Sequence, residues 1–256
     1  MIEVGLNLYS VRNLIKDEKS LTDTVIKLKD MGYSYFQYSG GEYLPERLKR
    51  VSGSCGVPFV LTHVPMDRII SDTKKLIEEH LSFGCRNIGL GSMPRDVILD
   101  EEKLKQTVEK LNRSAEVMIG SGCRFFYHHH HSEFMRLSGG ETIFDYIAEN
   151  APHINFTVDT YWLQYGGVEI NSVIERLAGR IECAHLKDYM LAYTEDKGFV
   201  PVFAPVGDGN IDFAKVIKIM KNSGTKYFLV EQDNACEFEN PLEQVERSIR
   251  YLKSNF

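Results

Sequence analysis

Short apolar or β-branched runs recur along the chain, and each is followed by a stretch in which apolar residues return every three or four positions. The runs are Ile2–Leu8, Tyr35–Tyr38, Pro58–Thr62, Asn87–Leu90, Arg124–Tyr127, Asn155–Val158, Ile181–Ala184 and Tyr227–Val230. Between them lie helical stripes. Leu21, Val25, Ile26, Leu28 and Met31 precede Gly32; Ile69, Ile70, Leu76, Ile77 and Leu81 precede Gly84. Leu104, Val108, Leu111, Ala115 and Met118 precede Gly120 and Gly122, Ile170 to Leu177 precedes Gly179, and Phe213 to Met220 precedes Gly224. A glycine just past the last apolar residue ends a helix, because it takes the left-handed backbone angle without a Cβ clash.

Eight units in 256 residues average 32 residues each, the size of a βα repeat. Strands alternating with helices pair in parallel, and eight of them close into a barrel. The pattern therefore predicts the α/β class and a single (β/α)8, or TIM, barrel domain over residues 1–256. An open doubly wound sheet is the alternative, but no GxGxxG follows the first strand and no shift in composition marks a second domain. Ser39, Gly40 and Gly41 read as a strand-to-helix loop. The longest connection, Asp188 to Asn210, holds two prolines and two tyrosines, and its length and aromatics predict a lid.

Composition narrows the functional classes. Thirty Lys and Arg against thirty-six Asp and Glu leave a net charge of -6, so no basic field recruits nucleic acid or an anionic membrane. The apolar runs are too short to cross a bilayer, and the opening MIEVGLNLYSVR lacks the basic start and apolar stretch of a signal peptide. Five cysteines without a CxxC pair read as reduced thiols, and a cytoplasmic location is expected.

In a barrel, the carboxyl ends of the strands share one mouth, so the strand ends predict the site. The first ends near Asn7, Tyr9 and Arg12, the second near Gln37, the third at Thr62 and His63, and the fourth near Gly91. The fifth ends in His128, His129, His130 and His131, followed by Glu133. The sixth ends at Asp159, followed by Trp162; the seventh at His185, with Lys187 and Asp188 beyond; the eighth at Glu231, followed by Gln232 and Asp233. Four consecutive ends in histidine or carboxylate suit a divalent metal. Singly, each has a plainer explanation: His63 as a hydrogen-bonded framework residue, Asp159 as the cap of the next helix, Lys187 in a surface ion pair, Trp162 in helix–barrel packing. The coincidence of the four ends carries the expectation.

Several segments together resemble the xylose isomerase-like barrels, the sugar phosphate isomerase/epimerase superfamily that includes endonuclease IV. Gly5 to Arg12 is similar to its "QLYSVR" opening, and Tyr127-His128-His129-His130 with Glu133-Phe134 to its "YHNH..EF" segment. Asp159-Thr160-Tyr161-Trp162 with Gly166-Gly167 is similar to "D..W...AG", His185-Leu186-Lys187-Asp188 to "HlKD", Pro205 to Gly209 to "PvGeG", and Glu231-Gln232-Asp233 to "vEqD". The resemblance implies one divalent ion (manganese, zinc, cobalt or magnesium) held by His128, Asp159, His185 and Glu231. His128 stands where other relatives carry glutamate, and Gln37 likewise replaces a glutamate. Catalytic roles are implied for Glu231 with His130 or Glu133, and substrate contacts for Tyr9, His63, Trp162 and Lys187.

The implied activity is that of a sugar or sugar phosphate isomerase or epimerase working through a metal-stabilised enediolate on a small carbohydrate substrate. A lyase or dehydratase on a polyol or keto-sugar would use the same centre, and a non-catalytic sugar-binding barrel is a further alternative. Relatives are commonly dimers or tetramers, so a homo-oligomer is compatible. The endonuclease IV reading lacks the extra histidines of a multi-zinc cluster: Trp162 follows three residues after Asp159.

Overall fold

A computed structural model describes residues 2–256. Its strands are β1 (Val4–Asn7), β2 (Tyr35–Tyr38), β3 (Phe59–His63), β4 (Asn87–Leu90), β5 (Arg124–His128), β6 (Asn155–Asp159), β7 (Cys183–Leu186), β8 (Asp188–Thr194), β9 (Gly198–Ala204) and β10 (Tyr227–Val230). Eight close into a parallel barrel in the order β1-β10-β7-β6-β5-β4-β3-β2. Every run expected from the sequence contributes a barrel strand, with shifted ends. The seventh starts two residues late, at Cys183, where its ladder to Tyr227 begins, and runs on to Leu186. His185 therefore sits inside the strand and pairs with Asp159 of β6 and Leu229 of β10.

Helices cover the barrel. Glu18–Met31 starts with an Asp17/Ser20 capping box, buries Leu21, Val25 and Leu28, and stops at Gly32, whose φ of 108° needs a residue without Cβ. The stripe from Ile69 to Leu81 forms two helices, Met66–Ser71 and Thr73–Ser82, because the backbone of Asp72 leaves the helical region between them. Helices Glu101–Gly120, Phe213–Asn222 and Pro241–Asn255 continue the shell. Outward strand residues such as Phe36, Ile88, Val158, Leu186 and Val230 pack against them in one large core. Each such side chain contributes about 1.5–3 kcal/mol by leaving water. A smaller cluster of Tyr35, Val60, Leu61, Phe126, Cys183 and Leu229 belongs to the strands alone. Among the described residues no helix is long and apolar enough to cross a membrane.

The connection expected to be a loop-like lid is instead an antiparallel hairpin, β8–β9, paired from Asp188↔Ala204 to Thr194↔Gly198. Its base is anchored by the buried Asp188 carboxylate, which accepts backbone N–H from Tyr189, Gly207, Gly209 and Ile211. Tyr189 and Phe203 at that base pack on Tyr161. Its tip exposes Leu191, Tyr193 and Phe199.

Candidate metal centre

Side chains alternate across a strand, so one in-phase set points into the barrel. That phase carries Phe126–His128–His130 on the fifth strand and its continuation, Thr157–Asp159 on β6, Cys183–His185–Lys187 on β7 and beyond, and Leu229–Glu231 at β10. The lower members close the barrel interior and the upper members meet at the mouth. His128, Asp159, His185 and Glu231 are all buried, and one potential ligand atom of each lies within 4.8 Å of the other three. His128 Nε2 is 3.5 Å from Asp159 Oδ2, and His185 Nδ1 is 3.7 Å from Asp159 Oδ2 and 2.7 Å from Glu231 Oε2.

Those same four atoms, His128 Nε2, Asp159 Oδ2, His185 Nδ1 and Glu231 Oε2, are buried without an aligned hydrogen bond. Outside the close His185–Glu231 pair, burying such atoms without an aligned hydrogen bond is costly. The opposite atom of each group is tied to the protein. His128 Nδ1–H donates to the Gly91 carbonyl at 2.9 Å, and His185 Nε2–H donates to Gln37 Oε1 at 2.7 Å. Asp159 Oδ1 accepts from the backbone N–H of Trp162 at 3.0 Å, and Glu231 Oε1 accepts from Asn7 Nδ2 at 2.8 Å. These bonds aim one lone pair of each residue at a common point, the arrangement a metal-ligating set requires. The residues present therefore fit a divalent ion. Asp159 also caps the helix Thr160–Tyr165, so its two oxygens divide the two roles.

Around the four lies a cavity of about 260 Å³ lined by Tyr9, Ser39, His63, Ser92, His130, Lys187 and Asp233, together with His128 and Glu231. Tyr9, His63, His130 and Lys187 are thus brought to the mouth. His63 Nε2 lies 2.9 Å from Gln37 Nε2, so Gln37 spans His185 and His63. Lys187 is buried, with Nζ 2.7 Å from Asp233 Oδ1, 3.7 Å from both Asp159 Oδ2 and Glu231 Oε2, and 5.0 Å from the Trp162 ring. The plainer reading of Lys187 as a surface ion pair does not hold. Trp162 packs against His130 and His131 at the wall and does not line the cavity.

Glu133 departs from its expected role. Its carboxylate is buried below the loop after β5, accepting from Tyr127 Oη, Ser132 Oγ and the backbone N–H of His130. It shapes that loop and is absent from the cavity lining. The histidine run also divides: His129, out of phase with its neighbours, packs edge-on against Phe134 and Phe144. Asn7, Gln37, Gly91 and Asp233 are expected at the mouth as strand ends, but sequence alone assigns them no role there. The inward phase of residues 5–7, 35–37 and 231–233 is the signal that marks three of them. A larger cavity of about 480 Å³ opens at the opposite, amino-terminal end of the barrel, where Glu3, Cys85 and Glu182 line it without forming a converging donor cluster among the described residues.

Charge interactions at the mouth are strong. Burial opposes ionisation of Asp159 and Glu231, but Lys187 and the adjacent imidazoles overcome it and hold both carboxyls below the usual range. Burial likewise opposes protonation of His185, yet the Glu231 and Asp159 carboxylates raise its pKa to about 9. Asp233 is raised by burial and by repulsion from Glu231. His130 is pushed down to about 2 by burial and then by His128 and Lys187, which leaves it a neutral imidazole.

A closed parallel barrel with histidine and carboxylate side chains converging at its carboxyl mouth defines a (β/α)8, or TIM-barrel, protein. The chain belongs to the xylose isomerase-like TIM barrel family, whose model matches residues 27–255. It is 28% identical over 171 residues to an inosose dehydratase of Clostridium perfringens, covering 61% of this chain and 56% of the relative. The chain thus spans about half the length of the curated relatives it matches. A sugar phosphate isomerase/epimerase from Parabacteroides distasonis superposes with a TM-score of 0.81 at 22% identity, over 98% of this chain and 93% of the other. A xylose isomerase-like barrel from Mycobacterium smegmatis, solved in complex with magnesium, gives 0.75 at 11% identity, over 99% and 96%.

Proposed function

We propose that the protein is a divalent-metal-dependent enzyme that removes a proton beside a carbonyl of an uncharged carbohydrate and then expels a β-hydroxyl, a dehydration. The observation that carries the metal-dependent reading is the convergence of four buried donor atoms without aligned hydrogen bonds, one each from His128, Asp159, His185 and Glu231. A divalent ion held there supplies Lewis-acid polarisation of the carbonyl, which acidifies the neighbouring C–H.

The protein's own groups supply the rest. Asp233 lines the cavity as a carboxylate outside the donor set, so it is the base for that proton. The Lys187 ammonium, bonded to Asp233, stabilises negative charge as it develops on the substrate oxygen. His130, a neutral imidazole, donates a hydrogen bond to the departing hydroxyl. In the elimination the C–H electron pair becomes the new double bond and the C–O pair leaves with oxygen; a proton passed back from Asp233 completes water. Tyr9 and His63 contact the remaining hydroxyls. Among the described residues no arginine lines the cavity, which argues for a substrate without phosphate. A volume of about 260 Å³ suits a single sugar or cyclitol ring.

The choice of dehydration over epimerisation rests on asymmetry: epimerisation by two opposed bases needs two proton acceptors, and Asp233 is the one cavity-lining carboxylate outside the donor set, while burial makes His63 and His130 weak bases. The name of the Clostridium relative agrees with this reading. A one-base isomerisation is the second reading, compatible with the same Asp233. Incubating the metal-loaded protein with inosose and other unphosphorylated ketoses in deuterated water, followed by proton NMR, separates these outcomes. The expected product has lost one water. A deuterated isomer of unchanged composition supports isomerase or epimerase activity, and no solvent exchange with any ketose supports a sugar-binding barrel.

A further inference from the structure

We propose that His128 and His185 together make the centre selective for a late transition-metal dication of the zinc and cobalt class, and poor for magnesium. This rests on the metal-dependent reading above and specifies the ion. Two of the four converging donors are imidazole nitrogens and two are carboxylate oxygens. Magnesium prefers six oxygen donors at near-ideal octahedral angles and usually retains several waters. Nitrogen donors shift preference toward the later metals, for which imidazole is a common ligand.

The supporting bonds sharpen the distinction. His128 is locked by its Nδ1–H bond to Gly91, which leaves Nε2 as the only free lone pair on the ring. The ring cannot turn to give space to a water without breaking that bond, and a Cβ at Gly91 would lie 2.9 Å from His63 Nδ1, so the wall is tight there. Each carboxylate has one oxygen committed, Asp159 Oδ1 to Trp162 and Glu231 Oε1 to Asn7, so each offers one oxygen to an ion. Asp233, the remaining carboxylate, is turned to Lys187. The donor atoms, separated by 2.7, 3.5 and 3.7 Å where they face one another and all within 4.8 Å, leave room for one ion and bring both imidazole nitrogens to it. Charge points the same way. The two donor carboxylates balance a dication, and no third carboxylate in the donor set remains to compensate the weaker covalency of magnesium.

Competition against a chromophoric chelator, with the intact apoprotein, tests the assignment for zinc, cobalt, manganese and magnesium. Zinc and cobalt are expected to bind at least about a thousandfold more tightly than magnesium. In H128E, where a carboxylate replaces one nitrogen, the cobalt-to-magnesium affinity ratio is expected to fall by about tenfold or more. The visible absorption of the cobalt-loaded wild type should show the intense bands of a four- or five-coordinate ion, a readout available even when H128E does not fold. Magnesium affinity within about tenfold of cobalt, or a weak octahedral cobalt spectrum, overturns the selectivity and leaves the metal-dependent reading standing. An unchanged ratio in folded H128E likewise removes His128 as its cause. Failure of every ion to bind removes the metal-dependent reading itself.

Discussion

Replacing Asp188 by Asn is expected to cost the protein about 3–5 kcal/mol of stability, although the change is isosteric. The side chain is fully buried just beyond β7, and each of its oxygens accepts two backbone N–H groups. Oδ1 takes Tyr189 at 2.9 Å and Ile211 at 3.2 Å; Oδ2 takes Gly207 at 2.9 Å and Gly209 at 3.0 Å. An amide keeps one oxygen and turns an NH2 group toward two donors that then lack an acceptor. A hydrogen bond to a charged group contributes about 1.5–3 kcal/mol, and an unsatisfied buried donor costs about 1–3 kcal/mol. Two lost bonds, partly relaxed, give the stated range, a large share of a typical stability of about 5–15 kcal/mol. Urea unfolding of D188N beside D196N, whose aspartate is exposed at the hairpin tip, measures the difference. A loss below about 1 kcal/mol in D188N, with an unchanged urea slope, would refute the clamp as the anchor of the hairpin base.

Other consequences follow from the same geometry. His80 is buried, bonded through Nε2 to Thr62 and through Nδ1 to the Leu76 carbonyl, and burial pushes its pKa down to about 4. The unfolded chain takes up this proton near pH 6.5 while the folded chain does not. Stability is therefore full above pH 6.5 and falls by up to about 3 kcal/mol toward pH 4; H80Q should flatten that part of a stability–pH profile. Saturating metal at about a hundredfold over Kd should stabilise by about 2.7 kcal/mol, raising Tm by roughly 5–10 °C. E231Q should lose the rise in differential scanning calorimetry, and a rise that persists in E231Q argues against its ligand role. Q37L removes the acceptor of His185 Nε2–H, and its metal affinity should drop about 10–100-fold in chelator competition. E133A should lower Tm while keeping metal affinity within about twofold, because Glu133 organises the loop and lies outside the donor set.

The barrel and the strand ends that meet at its mouth were legible in sequence for a common physical reason: period-two alternation and strand-end chemistry are local signals, and closure brings strand ends together whatever lies between. Asp159, His185 and Glu231 needed only that rule, whereas the choice of His128 within the histidine run came from the family resemblance. The hairpin was not legible, because Tyr189, Leu191, Tyr193, Phe199 and Pro201 alternate weakly and Pro201 argues against a strand, whereas the Asp188 clamp that starts the ribbon at Ala204 is a contact between distant backbone segments. Sequence proximity of Glu133 to His130 says nothing about direction; Tyr127 of β5, Ser132 and the backbone of His130 hold its carboxylate outside the cavity lining.

The roles of Gln37 and Asp233 depend on the same distinction between position and orientation. Gln37 occupies an inward position that a glutamate could also fill, and only the bonds to His185 and His63 explain an amide there: one end must accept a proton-bearing nitrogen while the other donates. A carboxylate would accept from both, recruiting a proton to His63 and adding a charge to a mouth where, on the proposed reading, a dication and the Lys187 ammonium would balance three carboxylates. Glutamine at 37 and histidine at 128 are therefore two parts of one electrostatic arrangement, each removing a negative charge from beside the ion while preserving a fixed hydrogen bond. The double variant Q37E/H128E tests that coupling. If the two positions act through shared charge, it should bind magnesium more tightly than the product of the single-variant effects predicts, and strict additivity would show that they act independently.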